Sequence, residues 1–283
     1  MLKHTFLHIP GIGYLTEEKL WAQGYLCWED YLYDCEDCFL SPTERATVSE
    51  HLEDSMRALR ADNARHFETR LPPGEMWRLY PEFQEKVAFL DIETTGLYAE
   101  TDAITIIGLF DGQQTKVFVK GLNLRDFASE IKKYSLIVTF NGKRFDVPFI
   151  THLFGEMPPH QAHLDLLYVM RKLGYQGGLK SIERQLGIKR DGALREADGY
   201  MAILLWREYQ RGNSTALDTL IRYNLEDVVN LQYLTELAYN KILSRLPIRL
   251  PPLEVHTKFS VHIPFDGDLI HDLKQRSDEM LHS

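Results

Sequence analysis

Cysteine is scarce: three residues, Cys27, Cys35 and Cys38, in a chain of 283. That excludes a disulfide-built scaffold and suits a reducing cytoplasm. Long apolar runs are missing too. No stretch approaches the ~18 residues of a membrane span, and the opening MLKHTFLHIPGIG lacks the apolar core of a secretory signal. The chain is therefore expected to be cytoplasmic and without a membrane partner; a monomer is also expected. Positive charge is not in excess: 32 Lys and Arg against 41 Asp and Glu give a net −9, which argues against a protein that coats nucleic acid by bulk charge. No internal repeat or low-complexity tract is present, which sets aside repeat architectures and compositional disorder.

What is there is ordinary globular material, 44% apolar and 26% charged. Residues 1–70 read as a small, mainly helical region, with a polar helix over 46–70 at helical apolar spacing. Residues 71–85, rich in Pro, read as a linker. From Lys86 the pattern changes. KVAFLDIE, AITIIGLF and TKVFVKG read as three successive strands joined by short turns. LRDFASEIKKY follows as an amphipathic helix, SLIVTFNG as a fourth strand and HLDLL as a short fifth. Residues up to 243 are then mostly helical, and 244–283 form a Pro-interrupted tail. The expected fold is α/β: a mixed five-stranded sheet flanked by helices. The short turns require the first three strands to be antiparallel. The intervening helix should bring the fourth parallel to the first, and the apolar first strand should be central.

Charge is unevenly spread. Residues 1–60 hold eleven acids and five bases, whereas residues 171–211 hold nine bases and five acids. The basic stretch could be a phosphate contact or a solvated helix face.

VAFLDIETTGL raises the chemical question. In a strand, residues two apart share a face, so Asp91 and Glu93 sit side by side at the end of an apolar run. Two adjacent anions repel. Asp146 follows the fourth strand among apolar neighbours, where an acid should be paired, hydrogen-bonded or metal-bound. In LIRYNLEDVVNLQYL, Tyr223 and Asp227 are four apart and share a helix face, while Glu226 points elsewhere, toward solvent. Taken singly, these residues have plain roles: a strand-end turn, a helix N-cap, a core tyrosine. Together, four carboxylates are hard ligands suited to Mg²⁺ or Mn²⁺. Two such ions could clamp the attacking and leaving oxygens of a phosphodiester, with Tyr223 orienting the attacking water.

DIETTGL resembles the first motif of the DnaQ-like 3′→5′ exonucleases, FNGKRFDVPFI the second, and YNLEDVVNL the third in its Tyr-x-x-x-Asp form. Arg222 stands where the histidine subgroup needs its histidine, so the match is to the tyrosine (DEDDy) subgroup, with a layout most similar to the bacterial YprB-like RNase H-like proteins. The resemblance covers residues 86–242 and implies an RNase H-like exonuclease domain over 86–243. It implies that Asp91, Glu93, Asp146 and Asp227 bind two Mg²⁺ or Mn²⁺ ions, that Tyr223 positions the water, and that the substrate is a single-stranded DNA or RNA 3′ end. Thr95 and Leu97 would meet the terminal nucleotide, and Asn141 and Phe145 the strand. The alternative from another class is a catalytically silent nucleic-acid-binding or scaffolding domain.

Secondary candidates remain. Lys143 and Arg144 could touch phosphate or form a solvated turn, Asp165 could support the site, and Lys180 could meet the scissile strand. Pro10-Gly11-Ile12-Gly13 is similar to part of a helix-hairpin-helix module, which binds phosphate through backbone N–H groups; a packing turn is the other reading. Cys35-x-x-Cys38 has metal-knuckle spacing but lacks a fourth ligand, so the cysteines read as buried small hydrophobes.

Overall fold

The computed structural model describes residues 1–190, 192–195, 197–256 and 259–281. Residues 191 and 196 of the expected catalytic domain, and 257, 258, 282 and 283 of the expected tail, lie outside these. Five strands form one sheet: β1 (Val87–Thr94), β2 (Ile104–Phe110), β3 (Thr115–Val119), β4 (Leu136–Thr139) and β5 (Ala162–Asp165). The order is β3-β2-β1-β4-β5. β1 is central, antiparallel to β2 and parallel to β4, and β5 continues the parallel half. This is the expected topology.

Among the described residues, the α-helices of six or more residues are α1 (Tyr14–Ala22), α2 (Trp28–Tyr33), α3 (Pro42–Arg60), α4 (Asp146–Phe154), α5 (Leu166–Lys172), α6 (Leu179–Gln185), α7 (Gly199–Gln210), α8 (Ser214–Leu243) and α9 (Gly267–Leu281). Thirty residues without Gly or Pro let α8 run uninterrupted, about 45 Å at 1.5 Å per residue. The Asn213 side chain accepts from the Thr215 amide and caps its start.

Both faces of β1 are buried, as an apolar central strand requires. Val87 and Phe89 pack in a core shared with Leu225, Val228 and Val229 of α8. Ala88, Leu90 and Ile92 pack on the other side with Phe127, Ile131 and Ile150. By alternation, Asp91 and Glu93 fall on the face that α8 crosses.

Several expectations are corrected. Residues 71–85 are no loose linker. They coil into helical turns, and Met76, Trp77, Leu79, Tyr80 and Phe83 are buried in the core that joins the N-terminal region to the sheet. The 124–133 segment is a broken helix, 3-10 turns flanking Phe127–Glu130, that still buries Phe127 and Ile131. The stretch after residue 243 is more than a tail. Arg222 donates to the Val261 and Ile263 carbonyls, the Phe259 ring lies tilted against Phe110, and Ile270 and Leu273 of α9 pack with Leu194, Met201 and Trp206. Glu226 is consequently covered, 1% exposed, and paired with Arg222 at 2.9 Å instead of facing solvent. Before the Gly11 turn lies a three-residue 3-10 helix, Leu2–His4, where a helix-hairpin-helix module has its first helix.

Candidate active site

Strand β1 and helix α8 build the site. Asp91, Glu93 and Asp227 each place a carboxylate oxygen within 4.8 Å of the others. Asp227 reaches them from one helical turn after Tyr223. Asp146, the first residue of α4, is 3% exposed and lies beyond this trio, near enough that its charge acts on Asp91. Three of the four expected acids therefore share one point, and Asp146 flanks Asp91.

The electrostatics are those of anions packed close together, with Arg190 against Asp227. Burial, then the charges of Asp146, Glu93 and Asp227, hold the Asp91 carboxyl well above its usual range. Burial and Asp227 do the same to Glu93. Burial raises Asp146 to about 7. Asp146 Oδ1 is buried with no hydrogen-bond donor. An orphaned carboxylate oxygen beside a triad of hard oxygen donors fits a divalent cation.

Tyr223 is 5% exposed. Its hydroxyl accepts from Lys180 Nζ at 3.0 Å, and the ammonium lies 4.3 Å from the ring centroid. Lys180 thus meets the tyrosine, a more specific placement than its sequence context gave. Burial, then Asp227, Glu93 and Asp91, push the phenol pKa well above 10. Asp91, Lys180, Tyr223 and Asp227 line one cleft of about 280 Å³.

Two polar residues of the site escaped sequence reading. Asn224 is fully buried and donates from Nδ2 to Asp91 Oδ2 at 2.9 Å and toward Glu93 Oε1 at 3.5 Å. It fits because Gly108 pairs with Asp91 across the sheet. A Cβ at Gly108 would meet Asn224 Oδ1 at 1.9 Å. The lone glycine within apolar ITIIGLF was the available signal of close approach. Arg190, 6% exposed, forks onto Glu183 at 2.5 and 2.7 Å and contacts Asp227. Nothing near it in sequence announced this, because its partners come from α6 and α8.

The remaining candidates surround the cleft in different ways. Thr95 is tied into its own loop: its amide donates to Ala103 O, and its hydroxyl contacts Asp102. Leu97 is 71% exposed. Lys143 and Arg144 are exposed, Phe145 is half-buried against Phe149, and Asn141 adopts a left-handed φ of 63°. That turn is held by Asp165, whose carboxylate accepts from the amides of Asn141, Lys143 and Leu167 at 2.7, 3.1 and 3.0 Å. Asp165 therefore fixes the loop that delivers Asp146. In Asp165→Asn, an amide N–H would face one of those backbone donors. We expect divalent-ion affinity to fall ~10- to 100-fold, as for other groups that orient metal ligands. Calorimetric Mn²⁺ titration checks this, and wild-type affinity would reduce Asp165 to a turn residue.

Residues 88–239 match the model of the family described as the RNase_H superfamily. No curated protein matches the chain significantly. Solved structures with a similar backbone include the family B DNA polymerase from the hyperthermophilic archaeon Pyrobaculum calidifontis. It is 18% identical over 54% of this chain, with a TM-score of 0.41, and the match spans only 25% of the polymerase chain. Brucella melitensis NrnC with bound Mg²⁺ is 20% identical over 58% of this chain and 76% of its own, TM-score 0.40. NrnC bound to pGG is 22% identical with the same coverage, TM-score 0.39.

Proposed function

Because the chain belongs to the RNase_H superfamily, we propose that it is a divalent-metal-dependent nuclease acting as a 3′→5′ exonuclease of the tyrosine subgroup on single-stranded DNA or RNA. The observation that carries this is the convergence of Asp91, Glu93 and Asp227 in a cleft that also holds the Tyr223 hydroxyl. A module that only binds nucleic acid gains nothing from concentrating anions where phosphate must approach.

Asp91, Glu93 and Asp227 would hold one Mg²⁺ or Mn²⁺ ion, with Asp91 and Asp146 available to a second, and such ions supply Lewis-acid activation of phosphate and water. Asn224 locks the Asp91 and Glu93 side chains in one orientation, so little ordering remains when substrate binds. Tyr223, kept neutral by its buried, anionic surroundings, orients a water and does not deprotonate it. The Lys180 ammonium occupies a lone pair of the Tyr223 oxygen, leaving the tyrosine's own proton to donate to that water. Leu97, projecting from the loop after β1, would pack on the terminal base. Asn141 and Phe145, on the turn before α4, would contact the strand.

Oligonucleotides of DNA and RNA labelled at the 5′ end, incubated with protein and Mg²⁺ or Mn²⁺, test this. A ladder shortening from the 3′ end is the expected product. Internal cuts would exclude exonuclease action. Absence of product on both polymers would leave a binding or scaffolding domain.

A further inference from the structure

Beside the acidic cleft lies a cavity of opposite character, about 240 Å³ in volume. Its described lining includes Lys180, Arg184, Lys189, Arg190 and Arg195, with Glu183 as the one acid. Glu183 is already engaged by the Arg190 fork and by Asn230 Nδ2 at 2.7 Å. Among the described residues, Arg184, Lys189 and Arg195 are exposed and form no ion pair. Arg190 Nη1 is buried with no hydrogen-bond partner. A buried guanidinium N–H without an acceptor is unfavourable, and the same residue lines this cavity.

Lys180 lines both this cavity and the acidic cleft, and Arg190 touches Asp227. The two sites therefore share a wall. A strand whose scissile phosphate lies at the acids has its neighbouring phosphates within reach of the cations. Planar guanidinium forks match phosphate oxygens in pairs. We propose that this cavity is a phosphate-binding subsite that holds a backbone phosphate of the substrate strand adjacent to the one being cut. The identity of the strand rests on the nuclease reading; the anion site itself does not. Five of the nine bases of residues 171–211 line this one cavity.

The test uses Asp91→Asn protein, which separates binding from cleavage, and a fluorescein-labelled single-stranded oligonucleotide. Fluorescence anisotropy across a salt series is compared with the same protein carrying Lys189→Ala and Arg195→Ala. Arg57→Ala with Arg60→Ala on α3 removes equal charge elsewhere. The cavity variant should bind ~10-fold or more weakly, with the log Kd against log salt slope reduced by about 0.7 for each phosphate it no longer neutralises. The α3 variant should bind like its parent, and in the active protein the cavity substitutions should raise KM with kcat unchanged. Equal affinity and slope in parent and cavity variant would overturn the subsite, as would an equal loss in the α3 variant. A selective loss of binding in a protein that cleaves nothing would keep the subsite and reject the nuclease reading.

Discussion

Asp91→Asn is expected to abolish turnover and to remove the stabilisation that divalent ions give the folded chain. Asp91 is the shared member of the cluster, acted on by Glu93, Asp146 and Asp227 at once. On the proposed metal site, removing its charge takes away a ligand common to both parts of the cluster. If bound ions supply several kcal/mol of transition-state stabilisation, the rate should fall ~10³-fold or more. The sign of the pH dependence follows from the raised carboxyl pKa values. A carboxyl whose pKa is higher folded than unfolded holds more protons in the folded state between those values, so stability falls as pH rises through that window. For Asp146 the window runs from 3.8 to about 7. The metal-free protein should therefore lose Tm from pH 5 to pH 7.5, and saturating Mg²⁺ should restore it by binding the folded state preferentially. Asp91→Asn should flatten the metal-free profile and leave little metal-induced rise. Differential scanning calorimetry with and without Mg²⁺ at each pH measures both. An undiminished rise in the variant would remove these acids as the metal site.

Tyr223→Phe is expected to lower kcat by ~10²-fold, the low end for a positioned proton-transfer or orienting group, with little change in fold or metal affinity. The ring keeps its place against Lys180, since the cation rests on the π face as well as on the hydroxyl. What disappears is the oxygen that Lys180 holds and the proton it leaves available to water. Single-turnover cleavage with thermal melts separates this from a packing role. Wild-type turnover in the Phe variant would sink the tyrosine mechanism and leave the carboxylate site standing. A core role alone would show instead as reduced stability in Tyr223→Ala.

The local arrangement of the acids was legible in the sequence because short-range periodicities govern it. A two-residue repeat puts Asp91 and Glu93 on one face of β1, and a four-residue step puts Tyr223 over Asp227 on α8. Short turns and one crossover likewise dictated the antiparallel and parallel pairings around β1. Tertiary structure alone decided what fills the spaces between those elements. Asn224 reaches Asp91 because Gly108 leaves room across a strand pair, and Arg190 reaches Asp227 from a loop after α6. Glu226 is buried because the chain near Val261 and Ile263 returns over α8 and engages Arg222. The prolines of 71–85 suggested a linker, yet Trp77 and Phe83 bury there because neighbouring elements supply the apolar surface. Periodicity records which way a side chain leaves its own backbone. What it meets depends on segments far away in the chain, whose approach is set by packing and by the need to satisfy buried charge, and no spacing within a motif encodes that.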